Sequence, residues 1–213
     1  MSDITDPLIL GIVALFGLAF GSFATLASYR IPRGTGIVSG RSECPSCHTK
    51  LAATDLVPVF SWLFRRGRCG HCGAKVSVRY PLIELTTSVA FVLVFMQTGF
   101  SWILPVLLGI ALCLILITVI DLEHMIIPDV LNLVLLVLGG IYQWMQGASW
   151  QQMVLGPLLG LALGFGLRWL MFAWKKQEGL GLGDVKFLTA AGMLLPIQML
   201  SVFLFLSGVI GMV

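Results

Sequence analysis

The sequence predicts an all-α polytopic membrane protein, with about six to seven transmembrane helices and a small cytoplasmic zinc-binding loop module. Three observations predict this class. The 213 residues are 58% hydrophobic and 11% charged, with mean hydropathy +0.98, whereas a soluble domain runs about 45–50% apolar and about 25% charged. The apolar residues fall into runs that approach or exceed the roughly 20 residues needed to cross a hydrocarbon core. The basic residues are segregated: nine of the 13 lie from Arg30 to Arg79, and the others are Arg168, Lys175, Lys176 and Lys186. The positive-inside rule places those segments in the cytoplasm. That accounts for the charge without a nucleic-acid partner; the expected partner is the lipid bilayer.

Met1–Asp6 carries two aspartates and no Lys or Arg, unlike the start of a cleavable signal peptide. Leu8–Tyr29, 22 residues without charge, is therefore expected to stay as the first span, with the N-terminus outside. Gly17 and Gly21 have a helix-packing spacing. Ile31–Tyr80 is polar, basic and rich in Gly, Pro, Ser and Cys. Pro81 is expected to open the second span, about Leu82–Gln97. Glu84 near its inner end reads either as a charge favoured by the helix N-terminal dipole or as a group reaching an inner-face site. Trp102–Ile120 returns inward and Val130–Met145 leads out, with Trp144 and Trp150 near the outer interface. Met153–Trp174 comes back, with Gly156, Gly160 and Gly164 at four-residue spacing. After Lys186 the chain is apolar to Val213 except for the break at Pro196. That run is expected as one kinked helix or as a span and the start of another, and its end without a polar flank suggests a longer natural chain.

Cys44-Pro-Ser-Cys47 and Cys69-Gly-His-Cys72 stand 21 residues apart, close to a zinc-site spacing. Each pair can form a tight knuckle, and four thiolates close a tetrahedron around a structural Zn2+ with no open position. His71 replacing one cysteine and a dithiol redox pair are the alternatives, and the latter lacks the usual βαβ pattern. The loop has little apolar core, so metal binding would be its main folding energy. Cys113, alone in an apolar run, reads as a packing residue.

Two acidic stretches lie at span ends on the same face. In Asp121-Leu-Glu-His-Met-Ile-Ile-Pro-Asp129, Asp121 directly continues an apolar run. A carboxylate at a helix C-terminus is unfavourable for the dipole and calls for another reason. Asp129, after Pro128, is placed to cap the next helix. A metal site from His124 and the nearby acids is a lesser reading, since no second histidine is at hand. The other stretch, Glu178-Gly-Leu-Gly-Leu-Gly-Asp-Val-Lys186, has glycines but neither the phosphate-loop pattern nor a preceding strand. Gly181 and Gly183 read as places where the backbone approaches a substrate or a neighbouring helix. Asp184 is either a helix cap or a functional acid, since an ionisable group beside a span is costly. Two carboxylates brought together do not both ionise easily; one keeps its proton while the other acts as base. That arrangement activates water for peptide hydrolysis, and the topology allows Asp121 and Asp184 to form it.

The combination resembles bacterial type IV prepilin peptidases, leader peptidases that are also N-methyltransferases. It is carried, in order, by Gly21-Ser-Phe23, Tyr29-Arg-Ile-Pro32, the paired cysteines, Pro58, Arg66-Gly-Arg-Cys69, Arg79-Tyr-Pro-Leu-Ile-Glu84, Asp121, Ile127-Pro-Asp129 and Glu178–Lys186. The resemblance implies an inner-membrane aspartic protease with Asp121 and Asp184 catalytic, and with Gly181, Gly183, Lys186 and Asp129 around the active-site loop. Implied substrates are prepilins or type II secretion pseudopilins, cut after the glycine that ends a short basic leader, then methylated from S-adenosylmethionine. Glu43 is a candidate for the methyl-donor site. Thr25 stands where the family often has asparagine. The expected domains are 1–30, the first span; 31–80, the zinc module; and 81–213, the catalytic membrane domain. A peptidase-only member is an alternative. An ion-coupled transporter would place acids mid-span, and a zinc module that only recruits partners would leave the acids as caps.

Overall fold

The computed structural model describes residues 6–37, 40, 42–175 and 181–195. Among them are seven α-helices and no β-strand. Four helices are long and apolar enough to cross a membrane: α1 (Pro7–Arg30), α3 (Arg79–Thr98), α4 (Leu104–His124) and α6 (Trp150–Lys175, apolar through Ala173). The shorter apolar helix is α5 (Asp129–Met145), and the other two are α2 (Phe60–Phe64) and α7 (Leu182–Leu194). The all-α polytopic expectation holds, and five predicted spans coincide with α1, α3, α4, α5 and α6. Glu178–Leu180 and the apolar run from Pro196 to Val213 lie outside the described residues.

The chain divides into two compact units, Met1–His124 and Met125–Val213. In the first, α1 packs along α3, and both contact α4. Asp6 caps α1 by accepting from the Leu8 N–H at 2.8 Å. Gly17 and Gly21 are the seam: a Cβ there would come within 2.6 Å of the Cα atoms of Ser88 and Glu84. Small residues let two helix backbones approach this closely, and the Ser88 hydroxyl donates across the seam to the Ala14 carbonyl at 2.9 Å. Phe91, Phe95 and Ile120 are fully buried, while Leu8, Ile12, Leu15 and Phe16 face outward. In lipid such outward apolar side chains are at home. Cys113 is buried on α4, as expected. Helix α3 starts before Pro81, which lies in its first turn, where a missing N–H costs nothing.

In the second unit α7 packs against both α5 and α6. The α6 glycines form the contact: Gly156 meets the Gly192 carbonyl, Gly160 the Leu188 carbonyl, and a Cβ at Gly164 would stand 3.1 Å from the Val185 Cα. Ser149 and Gln152 close a reciprocal capping box at the start of α6. Gln143 donates to the Met193 carbonyl at 3.0 Å, tying α5 to the end of α7.

Candidate active site and zinc module

The two Cys-x-x-Cys segments fold as one motif used twice. In the first, the Cys44 N–H donates to the Thr49 carbonyl and the His48 N–H to the Cys44 carbonyl; in the second, Cys69 donates to Ala74 and Gly73 to Cys69. A single antiparallel bridge closes each, Glu43 with Lys50 and Arg68 with Lys75. His48 and Gly73, each just after the second cysteine, both have positive φ, 55° and 71°. Glycine accepts that backbone freely and histidine does so uncommonly, so the sequence hid the equivalence.

The four sulfurs lie within 4.8 Å of one another, with Cys44 and Cys72 at 4.0 Å. A tetrahedron with Zn–S of about 2.3 Å has sulfurs about 3.8 Å apart, so a small contraction seats the ion. The thiols are electrostatically uneven. Hydrogen bonds from the Thr49 hydroxyl and then its backbone pull Cys47 down to about 6. The backbone of Cys72 and then of His71 lowers Cys69. At Cys72 the Ala74 amide lowers the thiol, but desolvation and the three other sulfurs outweigh it and leave it at about 11. Crowded thiolates repel, and a divalent cation removes that conflict. Among the described residues these four cysteines are the one cluster able to hold a metal; His124 and its neighbouring acids form none. Glu43 and His48 flank the first knuckle, exposed and 3.7 Å apart.

Asp121 is exposed on the last turn of α4. Glu123, two residues on, is clasped by Arg79, whose Nη2 donates to Glu123 Oε2 at 2.9 Å and to the buried Ser28 hydroxyl at 2.7 Å. This clasp joins the ends of α1, α3 and α4. The pattern did not expose it, because nothing near Arg79 in the sequence names Glu123 or Ser28 as its partners. Thr25 is buried and donates to the Ser22 carbonyl at 2.7 Å. Glu84 is buried too, and its Oε2 accepts from the Val59 N–H at 2.7 Å. It is thus a tether to the cysteine module, whereas as the sixth residue of α3 it lies beyond the first turn in which the helix dipole acts.

Asp184 belongs to the second unit, at the third position of α7. Its Oδ2 accepts from the Gly181 N–H at 3.0 Å, and a Cβ at Gly181 would press on that oxygen at 3.1 Å. Gly183 approaches Ile127, and a Cβ at Gly183 would stand 3.2 Å from the Ile127 Cβ. Neither glycine has positive φ; close approach, not backbone freedom, is what they supply. Asp129 does not cap α5. Pro128 occupies the cap position without a side-chain bond, and Asp129, the first helical residue, receives the Lys186 ammonium at 2.6 Å. Sequence reasoning missed Asn132. It is buried, its Nδ2 lies 3.5 Å from the Gly183 carbonyl, and its Oδ1 has no partner among the described residues. A buried unpaired acceptor beside a candidate catalytic acid is unusual; a polar residue on the apolar face of α5 was the available signal.

Residues 15–98 match the bacterial peptidase A24 N-terminal domain, and residues 108–213 match the type IV leader peptidase family. A prepilin leader peptidase/N-methyltransferase of Neisseria gonorrhoeae is 34% identical, covering 100% of this chain and 84% of its own length. This chain belongs to the type IV leader peptidase family. A Bacillus subtilis member of the same description is 34% identical over 95% of this chain and 80% of its own. A type 4 prepilin-like proteins leader peptide-processing enzyme of Escherichia coli is 35% identical over 83% and 73%. No solved structure matches. With its apolar helices, this family member is a multi-pass membrane protein.

Proposed function

We propose that this chain is a prepilin leader peptidase and N-methyltransferase. The observation that carries the reading is the 34% identity along the whole chain to a relative so described. Asp121 and Asp184 share one proton. The ionised carboxylate takes a proton from water as its oxygen bonds to the carbonyl carbon of the leader's last glycine, and the protonated carboxyl gives its proton to the leaving amine as the C–N bond breaks. The Gly181 N–H and the close Ile127–Gly183 contact hold Asp184 in place, and the Lys186–Asp129 pair holds the start of α7 against the start of α5.

The four cysteines would hold Zn2+ in a closed tetrahedron, which supplies folding energy and no Lewis-acid step. S-adenosylmethionine would supply the methyl group for the new N-terminal amine. Its sulfonium suits a carboxylate, and Glu43, exposed beside the first knuckle, is the candidate. Clustered Lys and Arg from Arg30 to Arg79 support an inner-membrane orientation with the zinc module and both acids on the cytoplasmic side and the N-terminus outside. Prepilins or type II pseudopilins are the proposed substrates.

The test is a peptide with a basic leader ending in glycine, then phenylalanine and an apolar helix, offered to the zinc-loaded chain in lipid vesicles with methyl-labelled S-adenosylmethionine. The expected product is cut after glycine and labelled on its new amine. Cleavage without label identifies a peptidase-only enzyme, and no cleavage overturns the proposal.

A further inference from the structure

The segment from Leu56 to Phe64 carries an apolar face that the mechanism does not use. Leu56, Val57, Phe60, Leu63 and Phe64 are exposed, Phe64 by 83%. Trp62 turns the other way. Its Nε1 donates to the Val76 carbonyl at 3.0 Å, and its ring covers Gly67. Helix α2 is therefore two-sided, with the indole locked onto the second knuckle and the phenylalanines and leucine outward. Directly after it, Arg66 and Arg68 are exposed, while Arg65 pairs with Asp55.

What fixes the place of this face is the tether at its start. The Val59 N–H donates to Glu84, which is only 6% exposed. Val59 has φ of 60°, an outlier for a β-branched residue, so the bond holds a conformation the chain would not choose. Glu84 is the sixth residue of α3, about 7.5 Å along the axis from Arg79. Helix α3 has 20 residues, about 30 Å, which matches a hydrocarbon core, so Arg79 marks the edge of that core. An apolar segment tied at this level lies where interfacial helices bury their apolar face, about 5–10 Å into the headgroup–acyl boundary, with basic residues toward anionic lipid.

We propose that Leu56–Phe64 is an interfacial wedge seated in the bilayer that α3 spans, with Arg66 and Arg68 among anionic headgroups, so that the zinc knuckles ride on the membrane surface. The occupant of the exposed face is lipid, not a substrate helix or a second copy.

The test places a photoreactive aromatic at the tip. Phe64→p-benzoylphenylalanine is made in the full chain, checked for bound zinc, and irradiated in vesicles of phosphatidylethanolamine and phosphatidylglycerol. Leu93→p-benzoylphenylalanine, at an exposed position on α3, sets the yield of lipid adduct for a lipid-facing site. The expected result is a lipid adduct at position 64 comparable to that at 93. An adduct to protein, whether another copy or added substrate peptide, overturns the proposal, as does the absence of any adduct at 64 while 93 reacts. Adding Glu84→Leu removes the acceptor for Val59. It is expected to lower the yield at 64 several-fold and leave that at 93 unchanged; an unchanged yield at 64 refutes the tether.

Discussion

The cysteine knuckles and the Gly181–Asp184 turn are both tight turns bearing chemical groups, and they are built in opposite ways. Each knuckle is closed by bonds within a few residues of its own cysteines, repeated residue for residue between the two halves. The glycine–aspartate turn depends on residues more than fifty positions earlier: Ile127 against Gly183, Asn132 beside its carbonyl, and Asp129 on Lys186. A turn built on metal ligands carries its instructions in its own sequence, whereas a turn built on packing borrows them from its neighbours.

Breaking a knuckle should have the largest effect. Cys44→Ser or Cys72→Ser removes one of four thiolates from the proposed zinc site, and structural zinc contributes about 10–16 kcal/mol of apparent binding energy in zinc-finger peptides. Metal analysis of the purified chain should fall from one zinc to none, and abundance should drop. Retained zinc in either variant would break the comparison at its first half.

The turn and the helix α7 that it opens should fail through their neighbours. Gly160→Leu drives a side chain into the Leu188 carbonyl region and should cost about 1–3 kcal/mol or more, read as a lowered unfolding temperature in detergent. Gly11, with nothing within 4 Å, is the contrast, and Gly11→Ala should change stability by no more than about 0.5 kcal/mol. Asn132→Leu sharpens the point. It removes an unsatisfied buried acceptor, so stability should hold or rise, while leader cleavage should fall about tenfold, equivalent to roughly 1.4 kcal/mol. Lost stability with intact turnover would make Asn132 merely structural. Lys186→Met is the mildest change. An exposed ion pair contributes about 0–1 kcal/mol, so the melting temperature should barely move.

This contrast also explains what was legible in the sequence. The spans were readable because apolar runs and flanking charges are local signals. The cysteines were readable because ligand spacing is local, although the positive φ of His48 was not. Gly17 and Gly21 announced a close helix contact and Gly156, Gly160 and Gly164 showed a regular spacing, but neither set named its partner, α3 for the first and α7 for the second. The partners of Arg79, Glu84 and Asn132 were not legible, because each lies at least 25 residues away in the chain. Asp129 was misread as a cap because local preference pointed there, whereas the Lys186 ammonium engages it from α7.

The central claim is that Asp121 and Asp184 together hydrolyse the leader bond. Its most direct measurement is cleavage of a prepilin-like peptide by the wild-type chain, Asp121→Asn and Asp184→Asn at equal accumulation and equal zinc content. Each variant should lose about 10²–10⁴-fold or more in rate, the contribution of a positioned acid or base. Cleavage at the wild-type rate by either one would contradict the account.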